Sequence, residues 1–129
     1  MPTKKSVVLT PRRALVVDDD QTVLDLVDLI LTGEGFIVDT VTTSQAALSK
    51  ARETEYDLAI LDLILPDMDG VILQSKLKRL APDLGERTIF MTGFTSKDVV
   101  LEYLRSLSGQ FIHKPFHPDQ LVRAVKKLA

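Results

Sequence analysis

The stretch Leu58-Ala59-Ile60-Leu61-Asp62 consists of four apolar residues followed by a single carboxylate. A short apolar run without polar alternation is typical of a parallel-sheet strand that is covered on both faces. Ligands bind at the carboxyl edge of such a sheet, where the connecting loops open. This run is the most apolar of the chain, so we expect it to be the central strand, with Asp62 at the ligand-binding edge.

Three other apolar runs are also followed by polar side chains. These are Asp18–Asp19 after residues 14–17, Thr92 after residues 89–91, and Lys114 after residues 111–112. Because the carboxyl ends of parallel strands share one edge, we expect three carboxylates, a hydroxyl and an ammonium to meet in one cleft. Such a set is suited to holding a divalent cation and a phosphoryl group.

The composition excludes several classes of protein. The chain has 129 residues, 45% of them hydrophobic, and a formal net charge of −2, which predicts one globular domain without a basic surface for nucleic acid. It has no cysteine, so thiolate sites and disulfides are excluded. No apolar run is long enough to span a bilayer, and the first residues do not form a signal peptide. We expect a cytoplasmic location.

The remaining pattern predicts five strands alternating with five helices. The strands are expected at residues 13–17, 36–41, 58–62, 88–92 and 109–113, and the helices at about residues 21–33, 44–53, 70–80, 99–107 and 118–128. The third helix is expected to pack through Leu73, Leu77 and Leu80, and Pro82 and Gly85 to mark its end. Residues 1–11 are interpreted as a flexible N-terminal lead-in, with an extra edge strand as the other option, and residues 12–129 as the domain.

Alternating strands and helices predict right-handed crossovers and helices on both faces of the sheet. The expected fold is an α/β, three-layer, doubly wound (βα)5 sandwich with a parallel five-stranded, flavodoxin-like sheet. Its strand order would be 2-1-3-4-5, which puts the topological switch point between the strands that end at Asp18–Asp19 and at Asp62.

Four short motifs occur in order at the ends of these strands. They are Leu15-Val16-Val17-Asp18-Asp19-Asp20, then Leu61-Asp62 with Leu65-Pro66-Asp67-Met68-Asp69-Gly70, then Met91-Thr92-Gly93, and finally Phe111-Ile112-His113-Lys114-Pro115-Phe116. Together they resemble the CheY-like receiver (REC) domain of two-component response regulators, over residues 12–129. Any one motif would be weak, whereas four in order at the expected strand ends are specific.

The resemblance implies a role for each matching residue around a magnesium ion, for which Mn²⁺ can substitute. Asp62 resembles the phosphoacceptor, which forms an acyl phosphate. Asp19 resembles a direct metal ligand, and Asp18 a ligand that acts largely through water. The backbone carbonyl of Ile64 is expected to complete the protein's share of the metal shell.

The resemblance also implies catalytic roles for Lys114 and Thr92, and a switch formed by Thr92 and Phe111. Lys114 resembles the partner of a phosphoryl oxygen, and its bond to Pro115 is often cis in the family. Thr92 resembles the catalytic and switch hydroxyl, and Phe111 occupies the aromatic switch position. Ile64 and Phe94 are apolar and cannot hydrogen-bond a hydrolytic water, so we expect slow self-dephosphorylation.

The implied function is that of a signalling receiver rather than a turnover enzyme. It would take a phosphoryl group from a sensor histidine kinase or a histidine phosphotransfer protein onto Asp62 in a Mg²⁺-dependent reaction that the domain itself catalyses. It would then switch binding of a downstream protein or output domain through the face of the fourth helix, fifth strand and last helix. We expect no direct contact with nucleic acid or membrane; a phosphorylation-dependent homodimer is one option. The chain either acts alone or is a receiver from a longer regulator or hybrid kinase.

Two alternatives remain open. One is a receiver fold that binds partners without being phosphorylated. The other follows from Asp67-Met68-Asp69-Gly70-Val71, which resembles the nucleophile motif of haloacid-dehalogenase-like phosphatases and would make Asp67 a nucleophile. That motif should directly follow a strand, whereas here Pro66 intervenes. A calcium loop is excluded because its first ligand position holds Leu65.

Overall fold

The computed structural model describes residues 11–93 and 110–128 of the chain. In these residues one sheet contains β1 (Arg13–Val17), β2 (Ile37–Val41), β3 (Leu58–Asp62), β4 (Thr88–Thr92) and β5 (Gln110–His113). All neighbouring strands are parallel, and their spatial order is 2-1-3-4-5. The flavodoxin-like order predicted from the sequence is therefore confirmed, with Asp62 at the end of the central strand.

The helices of the described residues are α1 (Gln21–Gly33), α2 (Ser44–Glu53), α3 (Gly70–Leu80), α4 (Pro82–Glu86) and α5 (Pro118–Leu128). The predicted lead-in up to residue 10, the predicted helix at residues 99–107 and Phe94 lie outside the described residues. No helix in the described part of the chain is both long and apolar enough to cross a bilayer.

Alternating residues of each strand face two separate hydrophobic cores. On one face, Val16 and Ile60 pack against the buried stripes of α1 and α5, such as Leu24 and Leu121. On the other face, the neighbouring strand residues pack against α2 and α3; they include Val17, Leu61 and Phe90. The sheet is thus the middle of three layers, and its central strands are buried on both faces.

Both ends of α1 follow from local sequence. Its first turn is capped by Asp20, whose Oδ1 accepts a hydrogen bond from the Thr22 N–H at 2.9 Å. After the helix, Gly35 adopts a φ of 93°, which an L side chain rarely tolerates. The N–H groups of Gly35 and Phe36 then bond to the Thr32 and Leu31 carbonyls, so the chain turns back into β2.

The structure differs from the prediction at the end of α3. Leu80 was expected to pack inward but is 44% exposed, whereas Gln74 is buried and donates from Nε2 to the Gly85 carbonyl at 2.9 Å. Pro82 and Gly85 do not simply end α3, because they belong to the short helix α4. Proline is favoured at the first position of a helix, where its missing N–H has no partner to lose.

Candidate functional site

The carboxyl edge of the sheet gathers the polar residues that the sequence placed at strand ends. Asp62 is the last residue of β3 and Thr92 the last of β4, while Asp18 follows β1 and Lys114 follows β5. Asp18 and Thr92 are fully buried, Asp62 is 6% exposed, and Asp19 is open to solvent. Parallel strands in register bring these positions to one place although they are distant in the chain.

Lys114 joins two of the three acids. Its Nζ lies 2.9 Å from Asp18 Oδ2 and 3.0 Å from Asp62 Oδ2, across 96 and 52 positions of sequence. The side chain of Lys114 is only 20% exposed, and those of Asp18 and Asp62 are buried. The ammonium therefore compensates the two buried carboxylates, which would otherwise be costly to keep charged.

Burial and neighbouring groups shift the pKa of two members of the cluster, Asp18 and Lys114. Burial raises the pKa of Asp18, opposed by hydrogen bonds from the Asp20 N–H and from Lys114, and the charge of Asp62 raises it further. Burial alone would lower the pKa of Lys114, but its bonds to Asp18 and Asp62 outweigh burial and raise it. The charged form of Lys114 is therefore favoured, whereas burial disfavours the charged form of Asp18.

Asp62 is oriented by the loop that follows it. Its Oδ1 accepts a hydrogen bond from the Ile64 N–H at 3.1 Å, while its Oδ2 faces Lys114. The loop folds back tightly, because the Gly70 N–H bonds to the Leu63 carbonyl at 2.8 Å. A Cβ on Gly70 would lie 2.2 Å from the Asp62 carbonyl oxygen, so only glycine lets α3 begin this close to the end of β3.

Three carboxylates of the cluster could hold a cation. Asp18, Asp19 and Asp62 each offer an oxygen, and these oxygens lie within 4.8 Å of one another. With Lys114 as their ammonium partner, they keep a formal surplus of two negative charges. Mg²⁺ prefers hard oxygen ligands and usually binds one or two carboxylates together with water and phosphate oxygens. The donor set fits such an ion, and Asp19 is its exposed member.

The two residues expected to form a switch, Thr92 and Phe111, lie on the neighbouring strands β4 and β5. The Thr92 carbonyl accepts a hydrogen bond from the Lys114 N–H at 2.7 Å, so the ends of β4 and β5 are tied together. Phe111 is half-buried on β5, with its ring centroid 5.8 Å from that of Phe90. The peptide bond between Lys114 and Pro115 is cis.

Asp67 has a role that the sequence did not reveal. Its two carboxylate oxygens accept hydrogen bonds from the Ser44 and Gln45 N–H groups, each at 3.0 Å, at the beginning of α2. The bond from the Ser44 N–H is the largest cause that lowers the pKa of Asp67, and the bond from Gln45 adds to it. Asp67 is not a member of the acidic group around Asp62. Its partners are more than 20 positions away, so no local motif could have indicated this contact.

Comparison with known proteins agrees with this geometry. The family model of the response regulator receiver domain matches residues 14–126. The DNA-binding response regulator MtrA of Mycobacterium tuberculosis is 36% identical over 115 residues, which cover 89% of this chain and 49% of that protein. The regulatory protein VanR of Enterococcus faecium is 32% identical over 117 residues, covering 88% of this chain and 48% of that protein. The chain spans about half the length of these curated relatives.

Solved structures give the same result. A CheY-like receiver domain protein from Methanospirillum hungatei superimposes with a TM-score of 0.80 at 34% identity, covering 92% of this chain and 94% of that one. The response regulator TrrA of Thermotoga maritima, solved in complex with Mg²⁺ and BeF, gives a TM-score of 0.77 at 30% identity, covering 92% and 99%. Sequence, topology and the convergence of acids and lysine agree, and the chain belongs to the receiver domain family of two-component response regulators.

Proposed function

We propose that this receiver domain accepts a phosphoryl group on Asp62 and thereby changes its affinity for a partner. The observation that carries the proposal is the convergence of Asp62 with Asp18, Asp19 and Lys114 at the carboxyl edge of the sheet. A single acid at a strand end would be ordinary, whereas three acids and a bridging lysine form an environment for phosphoryl chemistry.

The proposed step is an in-line displacement at phosphorus. A carboxylate oxygen of Asp62 attacks, a new O–P bond forms, and the P–N bond of a phosphohistidine donor breaks. The imidazole leaves with the electron pair of that bond and takes a proton from solvent. With acetyl phosphate as donor, the P–O bond breaks instead and acetate leaves as an anion.

Lys114 and the Ile64 N–H hold the two oxygens of Asp62 before this step. When a phosphoryl group is attached, Lys114 can move from the carboxylate to a phosphoryl oxygen without leaving Asp18. The ammonium is a compact charge on a flexible stem, which suits such a transfer. The Thr92 hydroxyl contributes to catalysis by donating to another phosphoryl oxygen.

The acids would also bind the metal ion. Asp19 and Asp62, with the Ile64 carbonyl, would hold Mg²⁺ or Mn²⁺, and Asp18 would act mainly through water. A bound Mg²⁺ supplies positive charge that screens the approach of two anions and orients the donor. The TrrA structure, with its Mg²⁺ and BeF, supports the extension of this arrangement to the present chain.

The response to phosphorylation is proposed to run from Thr92 to Phe111. If Thr92 turns toward the phosphoryl group, it leaves space that the Phe111 ring can enter from its position beside Phe90. This would alter the face formed by β5, α5 and the predicted helix at residues 99–107. The partner on this face would be a downstream protein, an output domain or a second phosphorylated copy.

The phosphodonor is proposed to dock beside the site. A groove of about 370 Å³ opens next to Lys114 between α1 and the loop after β5, with Val23, Leu26 and Phe116 in its lining. Leu26 is partly exposed although it is apolar. Because the groove shares Lys114 with the cluster, a protein seated there would bring its phosphohistidine to the edge where Asp62 lies. We propose a sensor histidine kinase or a histidine phosphotransfer protein as this occupant.

We also propose the extent of the receiver domain and its location in the cell. The receiver unit is taken to span residues 12–129, in agreement with the family match at residues 14–126. We propose that it acts in the cytoplasm and, as a receiver, touches neither membrane nor nucleic acid itself. In a longer regulator, any contact with nucleic acid or membrane would be made by the output domain.

Labelling with acetyl phosphate and Mg²⁺, followed by intact-mass measurement, tests the function. The wild-type chain should gain one phosphoryl group, and the Asp62→Asn variant none. Asp69→Asn is the matched control, because Asp69 is an exposed acid of the same loop whose side chain forms no helix-capping bond. A wild-type chain that stays unlabelled would support the alternative of an interaction module that needs no phosphorylation. Turnover of a phosphate ester by Asp62→Asn would instead support the phosphatase alternative that uses Asp67.

A further inference from the structure

We propose that Asp67 is a positioning residue for the phosphoacceptor, acting through the loop between β3 and α3. This inference rests on the proposed function of Asp62. Asp67 touches neither Asp62 nor the other acids of the cluster; its role is to hold the loop that orients Asp62.

The loop at residues 63–69 controls the Asp62 carboxylate through one backbone group. The Ile64 N–H donates to Asp62 Oδ1 at 3.1 Å, so the position of this N–H decides where that oxygen lies. The base of the loop is closed by the Gly70 N–H bond to the Leu63 carbonyl and by a bridge between Ile64 and Asp69. These contacts close the loop on itself but do not tie its tip to the rest of the domain.

Asp67 provides a polar tie at the tip, in addition to the packing of Leu65 and Met68 against the core on the side of α2 and α3. Its carboxylate accepts the N–H groups of Ser44 and Gln45, at 3.0 Å each, and both belong to the first turn of α2. Ser44 is completely buried, whereas the Asp67 carboxylate is exposed to solvent. A carboxylate at a helix N-terminus is favoured by the helix dipole and forms charge-assisted hydrogen bonds. The loop is consequently anchored to an element that packs on the sheet independently of the site.

Capping of α2 does not by itself explain this contact. Thr43 already caps the helix, because its Oγ1 accepts a hydrogen bond from the Ala46 N–H at 3.1 Å. If Asp67 only stabilised α2, its removal would resemble the removal of the Thr43 cap. If Asp67 positions the loop, its removal will change the hydrogen exchange of the Ile64 amide and the affinity of the metal site. Removal of the Thr43 cap will change neither.

Three variants separate these possibilities: Asp67→Asn, Thr43→Ala and Asp69→Asn. Asp67→Asn keeps the size of the side chain but places an amide NH₂ where one N–H group needs an acceptor. Thr43→Ala weakens α2 without touching the loop. Asp69→Asn removes one negative charge from the same loop without removing an observed capping bond.

The first measurement is hydrogen exchange of the Ile64 amide, which requires neither metal nor phosphodonor. We expect exchange to be faster by roughly tenfold in Asp67→Asn, because a charge-assisted anchor of the loop is weakened. The second is the affinity for Mg²⁺ by titration, which should fall by roughly three- to tenfold, somewhat less than the effect of a direct outer-shell partner. The third is the rate of labelling with acetyl phosphate, which should fall in parallel.

Equal Ile64 exchange and equal Mg²⁺ affinity in Asp67→Asn and Thr43→Ala would overturn the positioning role. A fall in Mg²⁺ affinity of the same size in Asp69→Asn would also overturn it, since loss of charge alone would then account for the effect. If wild-type Asp62 is never labelled, the proposed function fails, while the exchange and titration measurements still decide the role of Asp67.

Discussion

Lys114 Nζ and Asp62 Oδ2 are 3.0 Å apart although 52 positions of sequence separate the two residues. The same ammonium contacts Asp18, which is buried completely. This lysine therefore compensates buried charge in the domain, and under the proposed function it would also bind a phosphoryl oxygen.

Replacement of Lys114 by Met should destabilise the domain and increase its response to Mg²⁺. The loss should be about 2 kcal/mol in the free energy of unfolding, below the range for fully buried pairs because the site is open on one side. Urea denaturation with and without Mg²⁺ measures both effects. Lys78→Met is the matched control; its ion pair with Glu86 is 3.7 Å long and exposed, so it should change stability by less than about 0.5 kcal/mol. If Lys114→Met were as stable as Lys78→Met, Lys114 would not compensate the buried carboxylates as we infer.

Addition of Mg²⁺ should raise the melting temperature of the wild-type chain. An ion that binds only the folded state contributes about 1.4 kcal/mol at ten times its dissociation constant, which corresponds to a shift of several degrees. A thermal melt in Mg²⁺ is compared with one in chelator. The shift should be smaller in Asp19→Asn, which removes one of the three acids. Identical melts of the wild type in both buffers would argue against the metal site.

Replacement of Gly70 by Ala should damage both stability and phosphorylation. The added methyl group would collide with the Asp62 carbonyl oxygen, and relief of this overlap should cost about 2–3 kcal/mol. Gly33→Ala is the control, since nothing lies within 4 Å of a Cβ there and its φ is not positive. It should be neutral or stabilise the domain by less than about 1 kcal/mol. Urea denaturation and acetyl phosphate labelling of both variants test this; similar behaviour of the two would be inconsistent with the close approach.

The contribution of Asp67 to stability should depend on pH. Its hydrogen bonds to the N–H groups of Ser44 and Gln45 lower its pKa in the folded state. The stabilisation is then fully present above the unfolded value of about 3.9 and is lost as pH falls through the lower folded value. Urea midpoints of wild type and Asp67→Asn should differ at neutral pH and converge in strong acid. A constant difference down to the lowest pH would mean that the charge of Asp67 does not contribute.

Replacement of Ile64 by Asn or Glu should change the lifetime of the Asp62 phosphate. Ile64 is 53% exposed and two positions beyond Asp62, where its apolar side chain cannot hold a hydrolytic water. A polar side chain at this position can orient that water, so we expect faster decay. The loss of labelled mass is followed over time after removal of the donor. Ile72→Asn serves as control, as Ile72 is also exposed but lies on α3. Equal lifetimes in the wild type, the Ile64 variants and Ile72→Asn would refute the hypothesis.

The sequence predicted most of the fold because strand ends were marked by a change from apolar to polar or charged residues. β1, β3 and β4 begin and end at the predicted positions. The burial of Gln74 and the exposure of Leu80 were not predictable, because helical spacing does not reveal that α4 supplies a carbonyl partner for the amide. The role of Asp67 was missed for a similar reason, since its partners belong to another element.

The residues of the acid and lysine cluster are distant in sequence, so the ribosome adds them at very different times. Asp18 follows the first strand of the sheet, and the lysine that contacts it is added 96 positions later, after four further strands have been synthesised. In a growing chain the acids of the cluster are therefore present before Lys114, the ammonium that joins Asp18 to Asp62, has been added. Within this domain, the proposed competence of Asp62 to accept a phosphoryl group would therefore arise only after β5 has been synthesised.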